Sequence, residues 1–479
     1  MRWLPVISPE PQRAAHGATV AASAAPSSEH RGGVEHRVYF EVFGCQMNKL
    51  DAELMLGVLD EEGYRLTDDI KEAGVILYNT CAIREQAENK VFSRVGSLRG
   101  LKERRPDVVI GVLGCSAQNH RESIFRRYPH VGVVCGPGEF LRLPELIEEA
   151  REKGQVAALA LETPIRFKRR RNLGPNRYQA FVSVMRGCDM ACTYCVVPRT
   201  RGPEVSRPVR EIVDEARALV DGGVREITLL GQTVNSYGKR LGPGRSIGLQ
   251  HVFYELNKIR GLERIRFITS HPRFMNPDLI DAMADLEKVC EYLHLPVQSG
   301  ADSVLWRMRR SHKMDHYRRV VVACRERIPD LGLATDIIVG FSGETEDEFR
   351  QTYELMKEMR YQSAFVFRYS ERAGTPAAAM PDDVPEEVKR ERNQLLLELQ
   401  KKISLELNQE SLGKVTEVLV EGRSKRDASR WSGRTRQHRI VVFPASEGED
   451  LVGRLVSVRV TEATPLTLIG VRQDGAGYS

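Results

Sequence analysis

Nowhere in the 479 residues does an apolar run approach the ~18 residues of a membrane-spanning helix, so an integral helical membrane protein is excluded and no membrane contact is expected. Cysteine is scarce. Nine unevenly spaced residues are too few for a secreted disulfide framework, which leaves catalytic, metal-binding or buried thiols in a reducing compartment. An excess of one charge is also missing: 71 Lys and Arg face 65 Asp and Glu, a net +6 that permits a polyanionic partner without demanding one. Wholesale disorder is excluded by 41% hydrophobic residues, and the length leaves room for two to four folded units. The N-terminus lacks a secretory signal, because Pro5, Pro9, Pro11 and Glu10 interrupt the apolar stretch that should follow the positive charge. Residues 1–36, rich in Ala, Ser, Pro and Gly, read as a disordered leader or as sequence upstream of the true start.

From 37 to 161 short apolar strands (Val38–Phe43, Val75–Tyr78, Val108–Leu113, Val131–Val134) alternate with polar helical stretches, the pattern of a small α/β domain with a parallel sheet. Cys45, Cys81 and Cys115 each stand just after such a strand, 36 and 34 positions apart. Strand ends of a parallel sheet converge on one edge, so three thiols on those loops can meet and suit an iron-sulfur or zinc site; singly, each reads first as a small buried residue, and only their shared position balances the two readings. Cys135 has no such pattern and reads as core. Residues 162–175, with the basic run Arg166–Arg171, read as a linker, or as a strip touching phosphates.

The most specific stretch follows the strand Ala180–Met185: Cys188, Cys192 and Cys195 form Cys-x3-Cys-x2-Cys on the loop leaving it. Three thiolates can hold three irons of a cubane and leave the fourth open, and an amine and a carboxylate such as those of S-adenosylmethionine can chelate that iron. A structural zinc would need a fourth ligand, and no Cys or His follows at zinc-finger distance. Strands at Ile227–Gly231, Ile265–Thr269, Tyr292–Val297, Leu333–Phe341 and Ala364–Tyr369, separated by helices such as Pro208–Asp221 and Glu344–Met359, predict a partial β/α barrel over 176–410. Polar residues recur after those strands. Gln232, Asn235, Ser270, Gln298 and Asp336 are the candidate cofactor contacts, with His271, Ser299, Ser370 and Arg372 nearby, while Cys290 and Cys324 read as core. Beyond a charged helix at Pro385–Glu410, four short strands in 411–475 predict a small β-barrel. Between Lys414 and Ile440 eight basic and three acidic residues, with Trp431 among them, suggest a nucleic-acid surface or a solvated hairpin.

In their order, FGCQMN, NTCAIRE, GCSAQ, MRGCDMACTYCVVPRTRG, LLGQTVNSYG, SHP, HLPVQSG, TDIIVGF, EGRSKR and SGRT resemble the radical S-adenosylmethionine methylthiotransferases, over about Val38–Arg472. Ser342, Ser116 and Arg199 depart from the family's usual Pro, Met and aromatic; no cysteine is lost. The resemblance implies an α/β protein of three parts: an N-terminal methylthiotransferase domain, a radical barrel and a C-terminal RNA-binding β-barrel of the TRAM type. It implies two 4Fe-4S clusters, one on Cys188, Cys192 and Cys195 and one on Cys45, Cys81 and Cys115, with two S-adenosylmethionine molecules per turnover, one giving the methyl and one the radical. The implied substrate is a tRNA anticodon stem-loop carrying isopentenyladenosine, methylthiolated at carbon 2. The other expectations are a flavodoxin or ferredoxin as electron donor, a monomer and a cytoplasmic location. The alternatives are a threonylcarbamoyl-adenosine tRNA or a ribosomal protein as substrate, and, in a different class, a non-catalytic iron-sulfur RNA-binding sensor.

Overall fold

A computed structural model describes residues 36–83, 85–161, 177–239, 241, 247–446 and 448–473, together with the strand Ala18–Thr19. The linker at 162–175 and residues 1–17 and 20–35 of the leader lie outside the described residues. Within that leader, β1 (Ala18–Thr19) pairs antiparallel with β2 (Arg37–Phe43), so part of the stretch read as disordered joins the sheet edge. With β3 (Arg65–Leu66), β4 (Val75–Thr80), β5 (Val109–Gly114), β6 (Val133–Cys135) and β7 (Val156–Ala158), it makes a sheet ordered β1-β2-β4-β5-β6-β7, parallel except at β1. Both faces are buried, as the near-continuous apolar strands require. On one face Val38, Phe40 and Leu77 pack with Met55 and Ile147 of the helices Gln46–Glu61 and Leu143–Lys153; on the other Ile76, Ile110 and Val112 pack with Val91 and Val95 of the helix Glu85–Ser97.

The central domain is a barrel left open on one side. Of the strands β8 (Gln179–Ser183), β9 (Met185–Arg186), β10 (Val205–Ser206), β11 (Glu226–Leu230), β12 (Arg264–Ile268), β13 (Tyr292–His294), β14 (Gly332–Val339) and β15 (Ser363–Arg368), six form two parallel sheets, β8-β11-β12 and β13-β14-β15, linked by the parallel bridge Ile265↔Val289. The expected strand Ala180–Met185 is two: the chain turns after Ser183, and β9 pairs antiparallel with β10 instead. The expected Tyr292–Val297 stops at His294, freeing the next residues for the barrel mouth. Alternation sorts the two faces. Ala180, Val182, Ile227, Leu229, Ile265, Phe267, Ile337 and Val339 point outward into the core shared with the surrounding helices. Phe181, Leu230 and Ile268 point inward, and Leu50 and Leu54 of the N-terminal helix Gln46–Glu61 cover them.

The last domain is a closed five-stranded barrel of β16 (Val415–Arg423), β17 (Arg430–Arg434), β18 (Ile440–Pro444), β19 (Leu455–Ala463) and β20 (Thr467–Arg472), in the order β16-β17-β18-β20-β19. β17 falls in the stretch read from sequence as a basic surface, and part of that reading is corrected here. Arg436 donates to Glu291 and to the Glu287 and Val289 carbonyls, Arg439 to Gln362, Ser411 and the Leu407 carbonyl, and Arg434 pairs with Glu421. The Arg434 pair lies within the small barrel itself, whereas Arg436 and Arg439 dock that barrel on the N-terminal ends of the radical-barrel strands. There the inward-pointing Arg264 and Arg266 bond Glu417, Glu226 and the carbonyls of Arg434, Thr435 and Arg436. Trp431 is buried with the Arg423 guanidinium 3.9 Å over its ring, so it is closed to base stacking in this conformation. Of the exposed remainder of the cluster, Arg423, Lys425 and Arg426 lie on the β16–β17 hairpin.

Candidate active site

Each N-terminal cysteine stands where its strand ends. Cys45 caps the start of Gln46–Glu61, Cys81 directly follows β4, and Cys115 opens the helix Cys115–His120 after β5. Because β2, β4 and β5 are adjacent and parallel, the three loops lie side by side. Gly44 at φ +137° lets the chain turn there, and a Cβ on it would stand 2.4 Å from the Cys81 Cβ. The thiols feel one another. Cys81 hydrogen-bonds with Cys45 and lies within electrostatic reach of Cys115, and its pKa is raised well above the usual thiol value by that contact and by burial. Around them, the Cys45 Sγ lies 3.1 Å from Asn48 Oδ1, the Ile83 N–H donates to the Cys81 Sγ, and Asn79 donates to the Asn48 carbonyl. Cys135, at the end of β6, is buried in the apolar core of its own sheet face.

The second trio is built by the loop leaving β9. Gly187 (φ +80°) passes so close to Pro203 that a Cβ would stand 2.0 Å from its carbonyl oxygen, and the Gly187 N–H is held by Gln232 Oε1 at 2.6 Å. Thr233 Oγ1 lies 3.3 Å from the Cys188 Sγ, and Arg310 reaches the Cys192 Sγ at 3.7 Å. Burial pushes the Cys195 thiol up to about 12, and nearby Cys192 and Cys188 add to the shift. Such thiols become thiolates only when a cation arrives, which is how metal ligands behave. Among the described residues no group of three or more His, Cys, Asp or Glu side chains stands in position to hold a single metal ion. Three thiols suit a cubane that leaves one iron open, whereas a structural zinc takes four protein ligands.

The candidate cofactor contacts divide into two groups. Gln232 leaves its Nε2 buried without a partner, as Ser270 leaves its Oγ; His271 Nε2, Arg310 Nε and both ring nitrogens of His312 are in the same position. This unspent polarity at the barrel mouth fits a ligand with amine, carboxylate and hydroxyl groups, as S-adenosylmethionine is. Asn235, by contrast, uses both ends of its amide on the His271 backbone, 2.8 and 2.9 Å away, and so fastens the loop after β11 to the loop after β12. Gln298 sits at φ +72°, bridging through its backbone to Asp336 and Ile338, and Asp336 Oδ1 lies 3.1 Å from His294 Nε2. Sequence reasoning missed Thr233, Arg310, His312 and Arg201; the run Arg309-Arg310-Ser311-His312-Lys313 was the available signal for two of them. Burial first, then Arg310, holds His271 far below the usual imidazole range and His312 near about 3, so both rings stay neutral at physiological pH.

Three family models match in the order of the domains: "Uncharacterized protein family UPF0004" over 37–136, the radical SAM superfamily over 182–356 and the TRAM domain over 409–471. Proteins named tRNA-2-methylthio-N(6)-dimethylallyladenosine synthase align along nearly the whole chain. The one from Thermoanaerobacter sp. (strain X514) is 44% identical over 92% of this chain and 94% of its own length; the one from Acetivibrio thermocellus is 45% identical over 92% of each. The chain belongs to the tRNA-2-methylthio-N(6)-dimethylallyladenosine synthase family. It is thus a radical S-adenosylmethionine transferase that uses an iron-sulfur cluster and S-adenosylmethionine and acts on tRNA. The fold agrees with a solved one. The radical S-adenosylmethionine methyltransferase TsrM from Kitasatospora setae, with cobalamin and a [4Fe-4S] cluster bound, superposes with a TM-score of 0.51 at 12% identity, covering 71% of this chain and 74% of that one. Among the described residues no helix is long and apolar enough to cross a membrane.

Proposed function

We propose that this synthase places a methylthio group on carbon 2 of N6-isopentenyladenosine beside the anticodon of tRNA, using two 4Fe-4S clusters, one on Cys188, Cys192 and Cys195 and the other on Cys45, Cys81 and Cys115. The observation that carries the reading is the packing of Ala82 and Cys115 against Val196, the residue after Cys195, which supports two cysteine sites meeting at the domain boundary. The bound cofactors would supply a radical and a sulfur that no side chain can supply, as replacement of an unactivated aromatic hydrogen demands. The protein's share is placement. Gln232, through Gly187, and Thr233 hold the loop carrying Cys188; the neutral His271 and His312 offer hydrogen bonds without adding charge to the mouth. On the concave side of β13-β14-β15, register puts His294, Asp336, Ile338, Phe365 and Phe367 on one face. Phe367 is 41% exposed there, and we assign this wall to the flat base and its apolar dimethylallyl arm. The base comes from a loop, where unstacking costs less than in a duplex. Arg423, Lys425 and Arg426 on the hairpin of the small barrel are assigned to phosphates. A low-potential flavodoxin or ferredoxin, a monomeric state and a cytoplasmic location complete the reading.

The test is mass spectrometry of nucleosides from hypomodified isopentenylated tRNA incubated anaerobically with the reconstituted chain, S-adenosylmethionine, sulfide and reductant. A methylthio gain on isopentenyladenosine is expected, and Cys45→Ala is expected to lose that gain while still cleaving S-adenosylmethionine. Cleavage without transfer by the unaltered chain would move the substrate to threonylcarbamoyl-adenosine tRNA or a ribosomal protein. No cleavage at all with clusters intact would favour a sensor.

A further inference from the structure

A buried ion pair joins the helix that follows Cys45 to the helix that follows Cys195. Arg201 ends the short helix Val197–Arg201, six residues after Cys195; Asp51 lies on Gln46–Glu61, six residues after Cys45. Their side chains are 4% and 7% exposed and meet as a two-pronged fork, Nη1 to Oδ1 at 3.3 Å and Nη2 to Oδ2. A guanidinium carries five N–H donors, so this fork leaves others free. The helix Val197–Arg201 packs against the helix Cys115–His120, which brings the guanidinium within reach of the Cys115 sulfur, with Cys45 in electrostatic range. Arg186, also buried, stands near enough to sense both Arg201 and Asp51.

We propose that Arg201, oriented by Asp51, is a positioning residue through which the radical barrel sets the reduction potential of the cluster on Cys45, Cys81 and Cys115. The proposal rests on the two-cluster reading. A cubane held by three thiolates is net negative, and a negative charge buried at a domain boundary is costly unless a cation or hydrogen-bond donors face it. Arg201 provides both, and it comes from the domain that does not own those cysteines, so the charge is in place only when the domains are docked. Hydrogen bonds to cluster sulfur and nearby positive charge favour the reduced form and raise the potential. Asp51 does the opposite by its charge. A merely structural pair would behave alike whichever half was lost.

The experiment is a potentiometric titration, followed by electron paramagnetic resonance, of the full chain carrying its clusters, comparing the unaltered protein with Arg201→Gln, Arg201→Lys and Asp51→Asn. Iron is counted first: about eight atoms per chain mean two clusters, and about four in the unaltered protein would sink the two-cluster reading itself. With eight, Arg201→Gln is expected to lower the midpoint of the cluster on Cys45, Cys81 and Cys115 more than that of the radical cluster in the same sample. Arg201→Lys is expected to lower it less, and Asp51→Asn to raise it. If Arg201→Gln fails to hold the cluster, the opposite shifts of the other two carry the test. Unchanged midpoints, or shifts of the same sign in the Arg201 and Asp51 variants, would overturn the proposal.

Discussion

Arg266→Met is the perturbation whose cost can be worked most directly from the geometry. Arg266 sits inside the floor of the radical barrel and gives Nε to Glu226 at 2.9 Å, Nη1 to the Arg436 carbonyl at 2.7 Å and Nη2 to the Thr435 carbonyl at 2.7 Å. Glu226 is itself buried, and after the loss it keeps Gln179 at 2.8 Å and the more distant Arg264 at 3.9 Å. Removing one partner of a buried pair costs ~3–5 kcal/mol, because the other charge is left without its partner. Here two carbonyls of the small barrel lose donors as well, so the upper half of that range is expected. Urea unfolding should show a loss of ~4 kcal/mol, and limited proteolysis should release the C-terminal barrel first. The second arm discriminates. Replacing both charges, Glu226→Leu with Arg266→Met, is expected to recover much of the loss, since apolar substitution of a whole buried pair is often neutral. A single variant that loses under ~1 kcal/mol, or a double variant worse than the single, would refute the reasoning.

Gly44→Ala is expected to empty the N-terminal cysteine site, read as a fall to about half the iron content, whereas Gly63→Ala, also at positive φ but in open space, should cost only ~1 kcal/mol in urea and keep its iron. Phe367→Ala removes a half-exposed ring, so its melting temperature should hold while the KM for isopentenylated tRNA rises ~10-fold or more, the scale of one lost stacking contact; an unchanged KM would remove this wall from the site. Burial raises the Glu41 carboxyl to about 7, against the opposing pull of Arg94 at 3.1 Å. The folded state therefore holds a proton that the unfolded chain releases near pH 4.5. This group's stabilising share is complete below that pH, declines as pH rises to about 7, and is constant above, a cost on the order of 2 kcal/mol after allowing for the solvent around Arg94. Melting curves should show Glu41→Gln gaining on the parent from pH 5 to 7; parallel curves would contradict this.

The sequence by itself determined the parts that local rules govern. Near-continuous short apolar runs, each followed at once by Cys45, Cys81 or Cys115, revealed a parallel sheet with three thiols on one edge, because a strand's end and the loop after it are written in consecutive residues. The spacing of Cys188, Cys192 and Cys195 exposed the other trio in the same way. What only tertiary structure decided is which charges face which partner. Arg436 and Arg439 look like a nucleic-acid surface in the chain, yet they dock one domain on another, since a cation's partner can lie more than a hundred residues away, as Glu291 does from Arg436. Asn235 reads as a ligand contact and is spent on a loop; Arg201 reads as one more basic residue and stands beside Cys115, 86 positions earlier. Hydrophobic periodicity is a property of neighbours in sequence, and so it is legible. The pairing of buried charges is a property of neighbours in space, chosen when the domains close on one another.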